Sequence, residues 1–213
     1  MIFADRHDAG TKLAQRLKKY KNKDLIVLAI PNGGVAVGFE IAKKLDAPFD
    51  VIVVRKIQLP WDSEAGFGAC SPDGCTILNN EIITYLNLTQ DEIKAQEKKT
   101  LDKIAKRIKK YRGKKPFPKI FEKTVIVTDD GLASGYTMIV ACQFLKKKKP
   151  KKLIVAVPCA SAEAYGRVKV FADEIISLQI QKEYPFAVAN FYTKWYDVPD
   201  EEVLRYLSAK QSL

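Results

Sequence analysis

Three features of the sequence predict an α/β fold with a mostly parallel, doubly wound sheet. These are short uncharged apolar runs, helical patterns between them, and turn clusters where a run hands over to its helix. The first run, LIVLAI at 25–30, ends at Pro31-Asn32-Gly33-Gly34, and a helical pattern follows through Leu45. Further runs are VIVV at 51–54, TVIVT at 124–128, LIVAV at 153–157 and IISL at 175–178. Runs that stay apolar at every position, rather than alternating, suit strands covered on both faces.

The stretch 58–78 breaks this rhythm. It carries Pro60, Gly66, Gly68, Pro72 and Gly74, and residues 66–78 read as a short antiparallel hairpin on a long excursion. Residues 94–115 place Leu101, Ile104, Ile108 and Tyr111 at helical spacing. A last helix is expected after Asp197-Val198-Pro199, with Asp200 and Glu201 in its first turn, where acids favour the helix dipole. No internal repeat, low-complexity tail or linker interrupts residues 1–213, so one domain with a small hood is expected.

Apolar residues make up 47% of the chain, enough for a packed core. No apolar run approaches the roughly 20 residues that span a bilayer. The start, Met1-Ile2-Phe3-Ala4-Asp5-Arg6-His7, lacks the basic-then-apolar order of a secretory signal, so a cytoplasmic protein with no membrane partner is expected. Cys70, Cys75, Cys142 and Cys159 show no C-x-x-C spacing. Cys70 and Cys75 flank a Pro72-Asp73-Gly74 turn, where a disulfide or two small thiols would fit, and the compartment favours thiols.

The net charge of +11 calls for a polyanionic partner or a local explanation. Residues 94–115 hold eleven Lys or Arg against two acids, Glu97 and Asp102, a net of nine positive charges. An amphipathic helix with a solvated lysine face explains this better than an RNA-binding strip. Lys146, Lys147, Lys148 and Lys149, with Lys151 and Lys152, close another helix, where cations oppose the dipole.

The chemistry is concentrated in thirteen residues, Val125-Ile126-Val127-Thr128-Asp129-Asp130-Gly131-Leu132-Ala133-Ser134-Gly135-Tyr136-Thr137. A buried strand delivers two adjacent carboxylates at its C-terminal end, and a small-residue loop then feeds a helix running from near Thr137 through Phe144. Ligands of open α/β sheets bind at this end of the strands. The loop and the helix N-terminus offer unpaired N–H groups to a phosphate. The acids would repel that phosphate in a shared pocket, but one ribose away they would accept hydrogen bonds from sugar hydroxyls. The segment therefore reads as a ribose 5-phosphate site.

The same segment resembles the 5-phosphoribosyl-1-pyrophosphate (PRPP) signature of type I phosphoribosyltransferases. The resemblance implies that Asp129 and Asp130 hold the ribose hydroxyls and approach Mg²⁺ indirectly, through those hydroxyls or water. It also implies that Gly131, Leu132, Ala133, Ser134, Gly135, Tyr136 and Thr137 cradle the 5′-phosphate. Pro31, Asn32, Gly33 and Gly34 match a pyrophosphate-binding turn, and Arg55-Lys56 matches the basic pair that meets pyrophosphate. There are two departures: Asn32 stands where arginine is frequent, and Tyr136 where a small residue is common. The stretches 3–10 and 197–203 resemble a broad prokaryotic group of phosphoribosyltransferases of about this length.

The activity implied is transfer of the phosphoribosyl group of PRPP to a nitrogenous base with release of pyrophosphate, aided by Mg²⁺. The acceptor would be a nucleobase-like small molecule, and a homodimer is the common state for such folds. Cys159-Ala160-Ser161 and the aromatic stretch 186–195, with Phe191, Tyr192 and Trp195, are candidates to read the base. His7, the single histidine, lies far in sequence from the signature, in a stretch expected to build the hood. The alternative is a non-catalytic PRPP-sensing regulator, RNA-binding through the lysine strip. A phosphosugar isomerase or hydrolase is a weaker reading, since no G-x-S-x-G elbow, Walker loop or histidine cluster is present.

Overall fold

The computed structural model describes residues 2–209; Met1 and residues 210–213 of the expected domain lie outside the described residues. In chain order the elements are α1 (Arg6–Arg16), β1 (Leu25–Ala29), α2 (Gly34–Leu45), β2 (Phe49–Val51), β3 (Arg55–Gln58), β4 (Gly66–Cys70), β5 (Thr76–Leu78), α3 (Asn80–Tyr85), α4 (Gln90–Arg112), β6 (Thr124–Thr128), α5 (Tyr136–Lys146), β7 (Lys152–Ser161), α6 (Ala162–Lys169), β8 (Glu174–Gln181) and α7 (Asp200–Ala209). A five-stranded parallel sheet runs β2-β1-β6-β7-β8, and β3-β4-β5 form a separate three-stranded antiparallel sheet. Among the described residues no helix is long and apolar enough to cross a membrane.

The uninterrupted apolar runs have a direct cause. Leu28, Val125, Val127 and Val155 pack on one face of the parallel sheet against Met138, Val140 and Ala164 of α5 and α6. Val27, Ile126, Ile154 and Ala156 pack on the other against Leu13, Val37 and Ile41 of α1 and α2. Side chains alternate in direction along each strand, so both faces must be apolar. Fully burying one such side chain stabilises by about 1.5–3 kcal/mol.

The second run differs from expectation. Only Val51 of residues 51–54 belongs to a strand of the parallel sheet, and the rest carries the chain from β2 to β3. Val51 and Val53 point into a core with α4 and α7, whereas Ile52 and Val54 join the core with α5. A crossing segment buried on both sides has the same apolar signature as a central strand. As a consequence Arg55 and Lys56 open β3 of the small sheet rather than end a parallel strand. β7 also outlasts the expected run. Pro158 has no N–H, yet the ladder resumes beyond it with Cys159, Ala160 and Ser161 opposite Gln179, Ile180 and Gln181.

The hairpin of the excursion is present as β4 and β5, closed by a turn in which Gly74 N–H donates to Ser71 O (3.0 Å). Cys70 and Cys75 are free thiols, as are Cys142 and Cys159. The basic segment forms α4, started by a capping box in which Thr89 and Glu92 satisfy each other's backbone N–H. Its Ile93, Ile104 and Tyr111 are buried. The hood is small: Phe3 N–H donates to Phe191 O and Thr193 N–H to Phe3 O (both 2.8 Å), and Phe3, Phe191 and Tyr192 share a core.

Candidate active site

The strand order reverses between β1 and β6, since β2 lies on one side of this pair and β7 and β8 on the other. The loops leaving the C-terminal ends of β1 and β6 therefore diverge and open a crevice. They nevertheless touch at their roots. A Cβ on Gly33 would sit 1.9 Å from Asp130 Oδ2, and one on Gly34 would sit 2.7 Å from the Asp129 Cα. Only glycine lets the turn after β1 lie against the acid pair. The Pro31–Asn32 peptide is cis.

Asn32 does not project into open space. Its Nδ2 donates to Val198 O (2.8 Å) and Asp200 Oδ1 (3.0 Å), and its Oδ1 accepts from Tyr111 Oη (3.1 Å). Asp200 also accepts from Tyr111 Oη (2.5 Å) and Lys110 Nζ (2.8 Å). Asn32 thus clamps α4 and α7 onto the turn. A longer cation there would lose this network.

Asp129 and Asp130 follow β6. Asp129 Oδ1 accepts from the Asp130 N–H (2.8 Å), and Asp129 lines a cavity of about 200 Å³ with Pro31, Arg55, Lys56, Arg107 and Thr137. Asp130 turns toward the hood, where Arg6 Nε donates to its Oδ2 (2.9 Å) and Tyr192 Oη donates to its backbone O (2.6 Å). Burial, then the neighbouring Asp130 carboxylate, pushes Asp129 well above the usual carboxylate range. Burial also raises Asp130, against the pull of Arg6.

The loop between Asp130 and α5 is anchored to the sheet at Leu132. Leu132 pairs with β7: its N–H donates to Cys159 O, and Ser161 N–H donates to its O (both 2.9 Å). The Leu132 amide is therefore already used. Gly135 adopts φ 83°, the left-handed conformation that favours glycine, and caps α5. Among the described residues no acceptor takes the N–H groups of Ala133, Ser134, Gly135, Tyr136 or Thr137. Residues 131–137, which carry these donors, line a second cavity of about 310 Å³, with Lys56, Gly66, Asn79 and Val188 around it. Orphan amides at a helix N-terminus are an anion site. Arg167 braces the loop from outside: its Nη1 donates to Ser134 O (2.7 Å) and its guanidinium lies 5.2 Å from the Tyr136 ring centroid. That contact accounts for the large residue at 136.

From β3, Lys56 lines both cavities and Arg55 the smaller one. Burial, then the Arg107 charge, pulls the Arg55 pKa down, although an arginine stays charged at any working pH. Lys56 Nζ donates to the Glu64 carbonyl on the excursion.

Other expected residues lie elsewhere. His7 sits in α1, whose Arg6 and Ala9 meet the hood, but its own side chain lies between Glu40 (Nδ1, 3.2 Å) and Tyr206 (Nε2, 2.7 Å), among α2 and α7. Phe191 and Tyr192 are core residues of the hood. Trp195 stacks on Arg6, whose Cζ lies 4.0 Å from its ring centroid. From the two stretches proposed to read a base, Val188 lines the larger cavity and Ser161 Oγ holds the loop at Ala133 O (2.8 Å). Sequence reasoning missed Arg6 and Arg107. The charge run marked Arg107 as one of many surface cations, and nothing near Arg6 announced a carboxylate partner.

A strand, an acid pair, a loop with free amides and a helix N-terminus at the switch point of a parallel sheet define a class of ligand-binding α/β proteins. Residues 69–192 match the phosphoribosyl transferase domain family. Two curated proteins of Mycobacterium tuberculosis, named "Putative phosphoribosyl transferase" Rv0571c and MT0597, are each 36% identical over 206 residues, covering 97% of this chain and 46% of the relative. The chain thus spans about half the length of the curated relatives it matches. The crystal structure of TT1426 from Thermus thermophilus superposes with a TM-score of 0.78 at 33% identity, covering 97% of this chain and 98% of that one. AQ2163 from Aquifex aeolicus shares the fold at a TM-score of 0.52 and 14% identity, over 82% and 74% of the two chains. This chain belongs to the phosphoribosyl transferase domain family.

Proposed function

We propose that this chain binds PRPP at the crevice between β1 and β6 and transfers its phosphoribosyl group to a nitrogenous base, releasing pyrophosphate. The observation that carries the reading is the row of unused amides from Ala133 to Thr137 beside Asp129, with Arg55 and Lys56 opposite. The 5′-phosphate sits on those amides at the α5 N-terminus. The ribose hydroxyls donate to Asp129 and to the oxygen of Asp130 that Arg6 leaves open. Pyrophosphate lies against the Pro31–Gly34 turn, facing Arg55 and Lys56. Breaking the bond from ribose C1 to the pyrophosphate oxygen leaves positive charge on the ring and negative charge on the departing group. The cations stabilise the latter, and the held ribose presents its opposite face to the acceptor nitrogen.

The donor set suits Mg²⁺ carried mainly by substrate. Among the described residues no three His, Cys, Asp or Glu side chains form a cage, while Asp129 faces the cavity between the cations and the loop. Bound there, Mg²⁺ would neutralise pyrophosphate oxygens as a Lewis acid.

A second reading draws on Asn32 and Arg6. The turn carries no charge of its own, and one acid is already paired within the protein. Such a site suits a sensor that binds PRPP without turnover. Pyrophosphate release measured with PRPP, Mg²⁺ and a panel of nucleobases separates the two. Base-dependent release that falls at least about 100-fold in Asp129→Asn, as expected when a group used in the transition state is removed, supports the transferase. PRPP binding without release for any base favours the sensor, and absence of PRPP binding overturns both.

A further inference from the structure

We propose that Arg107 of α4 is a third cation of the pyrophosphate subsite, delivered by the helix that otherwise looks like a solvated lysine face. The inference rests on the PRPP reading above and extends it to a residue that the motif does not contain.

Arg107 occupies a telling place on its helix. Ile104 and Tyr111 are buried, and Arg107 lies three residues after one and four before the other, on the same stripe of α4. A cation on the core-facing stripe is not a surface lysine. Its side chain is 27% exposed, and it ends in the cavity of about 200 Å³ that holds Pro31, Arg55, Lys56, Asp129 and Thr137.

Arg107 is also left without an acceptor. Its nearest acid is Asp200, with Nη2 3.9 Å from Oδ1, too long for a hydrogen bond. Asp200 already accepts from Asn32, Tyr111 and Lys110. Among the described residues the guanidinium makes no hydrogen bond. A half-buried fork of five N–H donors facing a cavity suits a phosphate group.

Charge points the same way. Arg55, Lys56 and Arg107 line one small cavity with one carboxylate, Asp129, while Asp200 stands beside Arg107 with its oxygens already taken by Asn32, Tyr111 and Lys110. Crowding like charges costs stability unless an anion sits among them. The turn itself brings no cation, because Asn32 is neutral and committed to Asp200 and Tyr111. One helical turn from Tyr111, Arg107 supplies the missing charge. The same clamp that fixes Asn32 therefore fixes the height of α4 above the subsite.

The test measures binding of inorganic pyrophosphate and of ribose 5-phosphate separately to the full chain by calorimetry. Arg107→Ala is expected to weaken pyrophosphate about tenfold or more, the loss typical of a charge-assisted hydrogen bond, and to leave ribose 5-phosphate within about twofold. Arg107→Lys keeps the charge but loses the fork, so it should fall between. If wild type binds both probes and Arg107→Ala binds pyrophosphate as tightly, this proposal fails while the PRPP reading stands. Equal loss of both probes also overturns it, since that marks a merely structural residue. Wild type binding neither probe overturns both. Should Arg107→Ala not fold, Arg107→Lys with an unchanged melting point decides: affinity for pyrophosphate equal to wild type counts against the subsite role.

Discussion

Arg6 and Asp130 meet across 124 residues of sequence, with side chains only 5% and 15% exposed. Arg6 is held on its other sides by the Tyr196 carbonyl (2.9 Å) and the Trp195 ring. Removing one partner of such a pair leaves a buried charge without compensation. Arg6→Ala should therefore cost about 3 kcal/mol of stability, toward the lower end of the range for broken buried pairs because Asp130 keeps some solvent. Asp130→Asn alone should cost less. In the double variant the two effects should fall short of additive by about 1–2 kcal/mol, the coupling expected of groups in contact. Denaturant titration of the four proteins checks this. Additive losses would mean that the hood is held by the aromatic stack and not by the ion pair.

The clamp of α4 and α7 on the turn after β1 makes a pH-dependent contribution. Burial alone would raise the Asp200 pKa, but hydrogen bonds from Lys110, Tyr111 and Asn32, with Arg107 near, hold it far below the usual carboxylate range. A depressed folded pKa adds stability that is complete above the unfolded value, near 4, and is lost as pH falls through the folded one. Wild type should thus lose stability steadily below about pH 4, and Asp200→Asn should show a shallower decline over that window. At neutral pH the variant should be weaker by about 1–2 kcal/mol, since Lys110 keeps only its longer contact with Glu201 (3.3 Å) and Tyr111 has a poorer acceptor. Parallel acid slopes for the two proteins would rule the clamp out. How far such features can be read from sequence depends on their span. The strand, acid pair, loop and helix of 124–137 are legible because all their determinants are consecutive. The hairpin is legible from its glycines and its turn. Asn32, Tyr111 and Asp200 are not, because they are brought together only after α4 and α7 have packed. Residues 51–54 mislead because burial on two sides is recorded in the sequence, whereas hydrogen-bond pairing is not. Arg107 is hidden by its neighbours: a lysine-rich helix gives no sign of which cation faces inward.

Two apolar cores meet at the crevice. Ile30 before the turn after β1 and Leu132 in the loop after β6 belong to the core under α5, while β3 and α4 belong to the core built with α7. A ligand that touches the α5 amides, Asp129 and Arg55 would join both at once, and the unfolded chain offers it no such site. Binding must then raise the stability of the fold as a unit. At a free PRPP concentration about 100 times its Kd, linkage gives about 2.7 kcal/mol. For a domain of this size each kcal/mol moves the melting temperature by about 2–4 °C, so PRPP with Mg²⁺ should raise it by about 5–11 °C. Ribose 5-phosphate alone engages the loop and the acids but not the cations, and pyrophosphate alone does the reverse. Each should shift the midpoint less than PRPP at equal concentration, because linking two groups that bind adjacent subsites spares the second its own cost of association. Differential scanning calorimetry with the three ligands distinguishes a built site from general attraction of anions to a basic protein. In the latter case pyrophosphate, the most compactly charged of the three, would match or exceed PRPP, and the crevice would lose its claim to hold the sugar.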